Sequence, residues 1–542
     1  GRMARVLTIN GAAPLSLTDG WELALAGADV TTPEATAALD WLPAAVPGTA
    51  AQALENAGKS TPDLLSGLQA RMIWYRVALP PGGPRRLICH GLATGCTLWL
   101  DEERIGAADN MFLRHAFDIK STDKSALYLQ FHPLDAATLT PVRRQRWRPH
   151  LIATPQMRQV RASLLGHMPG WCPPVQPVGP WRAVALEEAD APTVRLNHLR
   201  AGVECATGIL EIDCDISGVE EPLCLRCAGV ETPLVACATG HYTARLTIPD
   251  VALWWPHTHG DPALHAVDIV GEKTRISLGR TGFRSLSLDT GPDGKGFALV
   301  INGVRIFCRG ANWTNADLAG LPGGRAAYRP LLERARAAGM NMLRVSGIMA
   351  LETPEFSDLL DELGILHWQD MMFANFDYDF SPSSATRTIV AETEQFLAAH
   401  QAAPSLVVVC GGSEMAQQAA MLSLPEAVWT QLFLSNDFPR IVGAARPDVI
   451  ALPNSPWGGD LPFSTGVGVT HYYGVGAYRR PLEDARRARV RFASECLTFA
   501  NLPQPESPET APYRALVPAF MVTELRRAFE IGFLLFLPFL VI

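Results

Sequence analysis

The 542-residue sequence lacks any excess of positive charge: 46 Lys and Arg stand against 54 Asp and Glu, a net of −8 with His neutral. No global positive field exists to hold nucleic acid or an anionic membrane surface. Low-complexity tracts are absent, and charged residues are only 18% of the chain against 48% hydrophobic. That balance excludes a disordered chain. No apolar run reaches the roughly 20 residues needed to cross a bilayer; residues 533–542 are almost wholly apolar, but the run is short and contains Pro538. No secretory signal follows the start at Gly1-Arg2-Met3, and the eleven cysteines fall in no regular spacing. A disulfide framework is therefore not expected, and a reducing cytoplasm is the expected location. Signatures for a metal, a flavin or a nicotinamide are also missing, so no cofactor is expected.

What is present is length enough for three or four domains at roughly 150 residues each. Residues 1–188 read as short strands between turn signals. Trp74 to Leu79 runs into Pro80-Pro81-Gly82-Gly83, and Cys96 to Leu100 into Asp101-Glu102-Glu103. Apolar alternation bounded by Gly, Pro and Asp predicts a β-sandwich or jelly roll. The pattern continues over residues 189–288, where Gly208 to Asp213 and Tyr242 to Ile248 alternate at period two; about 100 residues of this kind suit an immunoglobulin-like sandwich.

After the hairpin-like stretch from Val300 to Phe307 the pattern changes to strand, helix, strand, helix. An amphipathic helix is predicted from Arg329 to Gly339 and a strand over Asn341 to Val345. A second helix begins at Thr353-Pro354 and stops at Gly364, and a third covers Ala385 to Gln401 before the apolar strand Ser405 to Cys410. Such βα units after two all-β domains predict a (β/α)8 barrel over residues 289–515. Further strands are expected at Asp448 to Leu452, Gly468 to Tyr472 and Arg489 to Ala493. An eighth is not legible, so the barrel reads as incomplete and residues 516–542 as an atypical apolar tail, suggesting truncation or a shifted frame.

In such barrels the reacting groups stand at the C-terminal ends of strands. Glu414 follows the fourth strand through Gly411-Gly412-Ser413, and Glu495 closes the seventh. Strands four and seven face each other across the mouth. Two opposed carboxyl groups are the arrangement for glycoside hydrolysis, one attacking the anomeric carbon and the other protonating the leaving oxygen.

At these residues the chain resembles glycoside hydrolase family 2, in its β-mannosidase-like branch. The resemblance runs from Trp21 to about Leu502 through Gly91 to Leu100, Trp254-Trp255-Pro256, Gly282-Phe283-Arg284, Arg309 to Trp313, Asn341 to Val345 and Trp368-Gln369-Asp370. It implies a galactose-binding-like jelly roll, an immunoglobulin-like domain and a catalytic barrel, with carbohydrate as the substrate. It also implies Glu414 as acid/base and Glu495 as nucleophile, with Arg344 orienting the nucleophile. Asp370 would lie near the end of strand three, His471 and Tyr472 would line the floor, and Asn312 and Trp313 would follow strand one, the indole walling a sugar ring.

Three departures concern the sugar. Ser413 replaces the Asn that precedes the acid/base in the family, and its hydroxyl is too short to span the same gap without water. Gly170-Trp171-Cys172-Pro173-Pro174 replaces Trp-Asp-Trp-Gly-Pro, removing a carboxylate that grips the sugar. Ser346-Gly347-Ile348-Met349 replaces a Trp-Gly-Gly run. Two readings therefore stand, a retaining exo-β-glycosidase and a carbohydrate-binding homologue without turnover.

Other signals are weaker. Arg143-Arg144-Gln145-Arg146-Trp147-Arg148 reads as a solvated loop rather than a nucleic-acid patch. Cys224 and Cys227 stand three apart on a strand and so face opposite ways. His257, His259 and Asp261 form too sparse a set for a metal.

Overall fold

A computed structural model of the chain describes residues 5–8, 14–134, 144–382 and 384–496. Two antiparallel sheets form the first sandwich. The larger has the order Leu42–Pro43, Glu22–Ala26, Met72–Ala78, Ala126–Phe131, Cys96–Leu100, Glu103–Ala108. The smaller has the order Leu15–Ser16, Val184–Glu188, Gly82–Cys89, His115–Ser121. Alternation along these strands turns Leu23, Ile73, Tyr75, Leu87, Leu98, Leu127 and Leu129 into one shared core, as expected for stacked sheets with one buried face each.

The second sandwich packs a five-stranded sheet against a four-stranded one over Leu196, Leu210, Ile212, Leu225, Leu246 and Ile269. Its five-stranded sheet holds a strand from the start of the chain: Arg5–Thr8 pairs antiparallel with Thr193 to Leu196. The expectation that residues 1–188 form one unit is corrected by this pairing, because the free edge of the strand Thr193–Glu204 captures residues 5–8. Cys224 is half-buried and Cys227 buried on one strand of the four-stranded sheet, as the alternation requires. All eleven cysteines are free thiols.

A small antiparallel sheet follows, with Asn302 and Gly303 both at positive φ (51° and 78°) in the turn between Ala298–Ile301 and Val304–Ile306. That is the two-residue turn matched to strand twist. Next comes a parallel array. Strands β1 (Gly310–Trp313), β2 (Met342–Val345), β3 (Leu366–Asp370), β4 (Leu406–Cys410) and β5 (Ile450–Leu452) pair in that order, and β6 (Val469–Tyr472) pairs in parallel with β7 (Phe492–Cys496). Between them run helices α1 (Arg325–Ala337), α2 (Pro354–Leu363), α3 (Ile389–Ala399), α4 (Met415–Met421), α5 (Phe438–Ala445) and α6 (Leu482–Ala488). The ring of Phe492 on β7 stacks on Trp368 of β3 at 5.6 Å, and Phe297 meets Phe492 edge-on at 5.1 Å. The two groups of strands thus share one interior.

The sequence signals mark both ends of α2. Thr353 takes the extended N-cap position of α2 without a side-chain cap hydrogen bond, its hydroxyl instead accepting from the Gly324 N–H at 3.1 Å; Pro354 is the first helical residue, and Gly364 ends the helix in the left-handed region at φ 69°. The helix expected from Ala385 begins instead as a 3-10 turn and becomes α-helical at Ile389. Strand β7 begins at Phe492, not Arg489, because Arg489 is the left-handed terminus of α6 at φ 52°. Gly282 shows why the phrase around it is needed: a Cβ there would sit 2.7 Å from the Cβ of buried Trp254, whose indole donates to the Asp361 carbonyl at 2.9 Å.

The first sandwich docks on the parallel array through a buried ion pair. Arg161 donates from Nε and Nη2 to the two carboxylate oxygens of Glu392 at 2.8 and 2.7 Å, and their side chains are 2% and 0% exposed. Asn110 and Thr388 donate to the same carboxylate at 2.8 and 2.9 Å. Among the described residues no helix is long and apolar enough to cross a membrane. The expected apolar tail and the position of an eighth strand lie outside the described residues.

Candidate active site

Glu414 is set by the end of β4. The chain turns through Gly411, where a Cβ would fall 2.4 Å from the Pro453 carbonyl oxygen, and Glu414 takes the left-handed conformation at φ 53° as the residue before α4. That conformation is costly for a residue with a Cβ and concentrates at functional sites. The Glu414 N–H is held by the Ser455 carbonyl at 2.7 Å. Its side chain does not cap the helix but lies between two partners. Gln417 Nε2 donates to Oε2 at 3.0 Å, and His471 Nδ1 lies 3.0 Å from Oε1.

Glu495 lies near the end of β7. Arg344 Nη1 donates to its Oε1 at 2.7 Å, the Tyr473 hydroxyl donates to Oε2, and His471 Nδ1 is 3.4 Å from Oε2. One carboxylate oxygen from each glutamate and a ring nitrogen of His471 all lie within 4.8 Å of one another. The two glutamates predicted to face each other therefore converge, at 13% and 15% side-chain exposure.

Their environments push them apart. Burial, reinforced by the negative charge of Glu495, raises the Glu414 carboxyl above its ordinary range, with His471 opposing. Burial would raise Glu495 as well, but the charges of His471 and Arg344, with hydrogen bonds from Tyr473 and Arg344, outweigh it and hold this carboxyl low. The two carboxyls of one site are thus shifted in opposite directions, Glu414 up and Glu495 down.

Arg344 is 1% exposed and makes the centre of a polar base. Its Nη1 also donates to Asn312 Oδ1 at 2.9 Å, and its Nη2 donates to Asp370 Oδ2 at 2.6 Å and to Ser413 Oγ at 2.9 Å. Asp370 is further held by Trp368 Nε1 at 2.8 Å. Ser413 donates to Asp370 Oδ2 at 2.7 Å and accepts from the Gly347 N–H at 3.1 Å. Its hydroxyl proton is committed to Asp370. Ser413 therefore belongs to the base under Arg344, and the expected water-bridged reach toward a sugar is corrected.

Strand alternation corrects two further assignments. On β6 His471 points inward, so the next inward residue is Tyr473, and Tyr472 points away, its hydroxyl donating to Asp484 Oδ2 at 2.7 Å. Tyr473, not Tyr472, reaches the glutamates. On β1 Asn312 joins Arg344, whereas Trp313 packs against Phe356 of α2 with ring centroids 4.9 Å apart and is 8% exposed. Trp313 is part of the core beneath that helix and forms no wall. Trp171 is 44% exposed and stands outside the hydrogen-bonded cluster, while Cys172 is buried and its Sγ accepts from Gly166 within its own loop.

Among the described residues of the arginine-rich segment, Arg144, Arg146 and Arg148 are exposed, as a solvated loop predicts, but two side chains also reach the protein beneath. Arg146 grips buried Asp377 through Nε and Nη2, at 2.7 Å for the closest pair. Trp147 is 3% exposed and its indole donates to the Asn375 carbonyl at 2.8 Å. A buried carboxylate needs such a countercharge. The Asn375 N–H in turn donates to the Ser413 carbonyl, so the first sandwich braces the turn that carries Glu414. His257 Nε2 is satisfied by the Met340 carbonyl at 2.7 Å.

Sequence reasoning missed Tyr473, Gln417, Ser455 and Ser494. Period two from His471 points to Tyr473, and i, i+3 spacing on a helix places Gln417 beside Glu414. Nothing local marks Ser455, whose hydroxyl meets His471 Nε2 at 2.9 Å and Ser494 Oγ at 2.7 Å. Glu414, His471 and Glu495 are close enough to share a cation, but they already satisfy one another, and the Arg344 charge occupies the place a cation would neutralise; no metal is assigned.

Known proteins share parts of this chain's sequence and fold. The family described as glycosyl hydrolase 2 galactose-binding domain-like matches residues 21–182, and the FliP family matches residues 482–542. Beta-mannosidase B of Aspergillus flavus is 29% identical over 444 residues, covering 75% of this chain and 52% of that protein. Its counterpart in Aspergillus fumigatus is 30% identical with the same coverage. The chain spans about half the length of the curated relatives it matches. Among solved structures, the beta-D-mannosidase of Dictyoglomus thermophilum superposes with a TM-score of 0.75 at 25% identity, over 89% of this chain and 62% of that one. Bacteroides uniformis beta-glucuronidase 3 shares the fold with a TM-score of 0.62 at 16% identity, over 89% and 60%. By sequence and by fold, the chain is similar to glycoside hydrolase family 2 proteins, β-mannosidases among them.

Proposed function

We propose that the chain is an exo-acting, retaining β-glycosidase with β-mannosidase-like specificity. Its parallel strands form the described part of a (β/α)8 barrel over residues 289–515, behind a galactose-binding-like jelly roll and an immunoglobulin-like sandwich. The observation that carries the reading is the pair of glutamate oxygens within 4.8 Å, close to the roughly 5–5.5 Å carboxyl separation of retaining glycosidases and short of the roughly 6.5–9.5 Å that leaves room for water in inverting ones.

Glu495, ionised beside Arg344 and Tyr473, attacks the anomeric carbon as the glycosidic bond breaks. Glu414, kept protonated by burial, gives its proton to the departing oxygen. Water then enters, Glu414 takes back a proton, and the Glu495 ester is released as the free sugar with retained configuration. Arg344, backed by Asp370, Ser413 and Asn312, orients Glu495 and spreads its charge. The free thiols suit a reducing compartment, in line with a cytoplasmic location.

The test is turnover of aryl β-mannoside, β-glucoside, β-galactoside and β-glucuronide across pH. The mannoside is expected to be cleaved best, with a bell-shaped profile bounded by Glu495 below and Glu414 above. Silence on all four, with sugar binding retained, would favour a carbohydrate-binding protein without turnover. The commitment of Ser413 to Asp370 is the observation on that side, because it leaves no side-chain donor in the position before Glu414.

A further inference from the structure

We propose that His471 is a single hydrogen-bond donor shared by both glutamates, whose Nδ1–H follows the negative charge of the pair from Glu495 to Glu414 as the reaction proceeds. This rests on the roles proposed above and adds a positioning residue to them. The side chain is 0% exposed, and its Nδ1 stands between the carboxylates, 3.0 Å from Glu414 Oε1 and 3.4 Å from Glu495 Oε2. A bare nitrogen there would set its lone pair against ionised Glu495, so the ring proton is placed on Nδ1 and the Glu414 proton on Oε2, away from the ring.

The far side of the ring supports the same placement. Nε2 is 2.9 Å from the hydroxyl of Ser455, which is 2.7 Å from that of Ser494, and the two serines are 0% and 3% exposed. A hydroxyl pair can donate into the ring or accept from it, so Nε2 keeps a partner whatever happens at Nδ1. The ring cannot drift, because these contacts come from the loop after β5 and from β7, while the backbone of Ser455 also binds Glu414.

The charge on the pair then explains why one donor suffices. Before attack Glu495 is anionic and Glu414 carries the proton. Once the bond from Glu495 to the anomeric carbon has formed and the proton has left with the departing oxygen, Glu495 is an uncharged ester and Glu414 is the anion. The pair holds one negative charge throughout, and Nδ1–H reaches either bearer. The charged and titratable groups around it are Glu414 before α4, Glu495 and Cys496 on β7, Arg344 on β2 with Asp370 on β3 behind it, and Tyr473 beyond β6.

A donor to both carboxylates favours the ionised form of each. His471→Leu removes it, so both limbs of the pH profile for kcat/KM should move to higher pH together, each by about one unit, the size of one charge-assisted hydrogen bond. His471→Asn keeps an amide donor on the same strand and should return both limbs most of the way. The protein labelled with 15N-histidine, with His471 assigned by its loss in His471→Asn, should show Nδ1 protonated in the unreacted wild type. Movement of one limb only, movement of neither, or a bare Nδ1 would overturn the proposal. If the wild type cleaves no glycoside, the functional reading fails on that result alone, and the protonation of the ring still decides the role of His471 as donor.

Discussion

Glu495→Gln is expected to lower kcat/KM for an aryl β-mannoside by on the order of 10^4-fold or more, while the folded protein keeps its thermal transition. The amide cannot attack, and nothing nearby replaces it: burial and the Glu495 charge shift the Glu414 carboxyl toward its neutral form, and Asp370 is buried behind Arg344, bound to Ser413 and Trp368. The stability half of the expectation follows from the charge balance. Arg344 keeps Asp370 as a full counterion at 2.6 Å, so removing the second carboxylate leaves no orphaned cation. A variant that retains more than a tenth of wild-type activity would remove Glu495 from the chemistry. One that fails to fold would mean that Arg344 needs both anions.

The second large effect is on stability and lies far from the glutamates. Glu392→Ala should destabilise the protein by about 3–5 kcal/mol, the cost of leaving a buried charge without its partner. Arg161 has few alternatives: it is 2% exposed, and its guanidinium lies over the Phe373 ring at 3.7 Å and near Phe112 at 5.1 Å. The urea midpoint is the measurement. Arg161→Met combined with Glu392→Leu should recover much of the loss, since replacing a buried pair with apolar groups of similar size is often neutral. Activity should fall along with stability in Glu392→Ala, because Phe373 begins the segment that accepts the Ser413 N–H. A shift worth less than about 1 kcal/mol would show that water reaches the pair, as it does for surface ion pairs.

Where the sequence could be read correctly, the signal was local. Period-two alternation marks strands such as Thr207–Ser217 and His241–Ile248. Thr353-Pro354 and Gly364 mark the ends of α2, because caps and left-handed glycines depend on the residues beside them. Glu414 and Glu495 could be singled out because they close two strands expected to face each other, and the structure brings one oxygen of each within 4.8 Å. The choice of Tyr472 over Tyr473 was an error the sequence could have prevented, since His471 already fixes which face is inward. The same reasoning separates Asn312 from Trp313.

Other features depend on pairings that no local pattern records. Strand Arg5–Thr8 crosses to the second sandwich because a free edge waits there, more than 180 residues along the chain. Arg146 is exposed, as in a solvated basic loop, yet it pairs with Asp377, and Trp147 is buried on the Asn375 carbonyl. Ser413 looked like a weakened sugar contact because its hydroxyl was judged by length alone. Its partners Asp370 and Arg344 sit on neighbouring strands, and only the parallel register of β2, β3 and β4 brings them together. Ser455 and Ser494 are the same kind of case.

The most direct test of the paired glutamates is to trap the first half of the reaction. A 2-deoxy-2-fluoro-β-mannosyl fluoride slows the breakdown of a covalent glycosyl-enzyme more than its formation, and peptide mass spectrometry of the inactivated protein locates the sugar. One fluoromannosyl group on the peptide carrying Glu495, with none on the peptide carrying Glu414, is the expected result. Turnover with no adduct and inverted configuration, or an adduct at any other carboxylate, would contradict it.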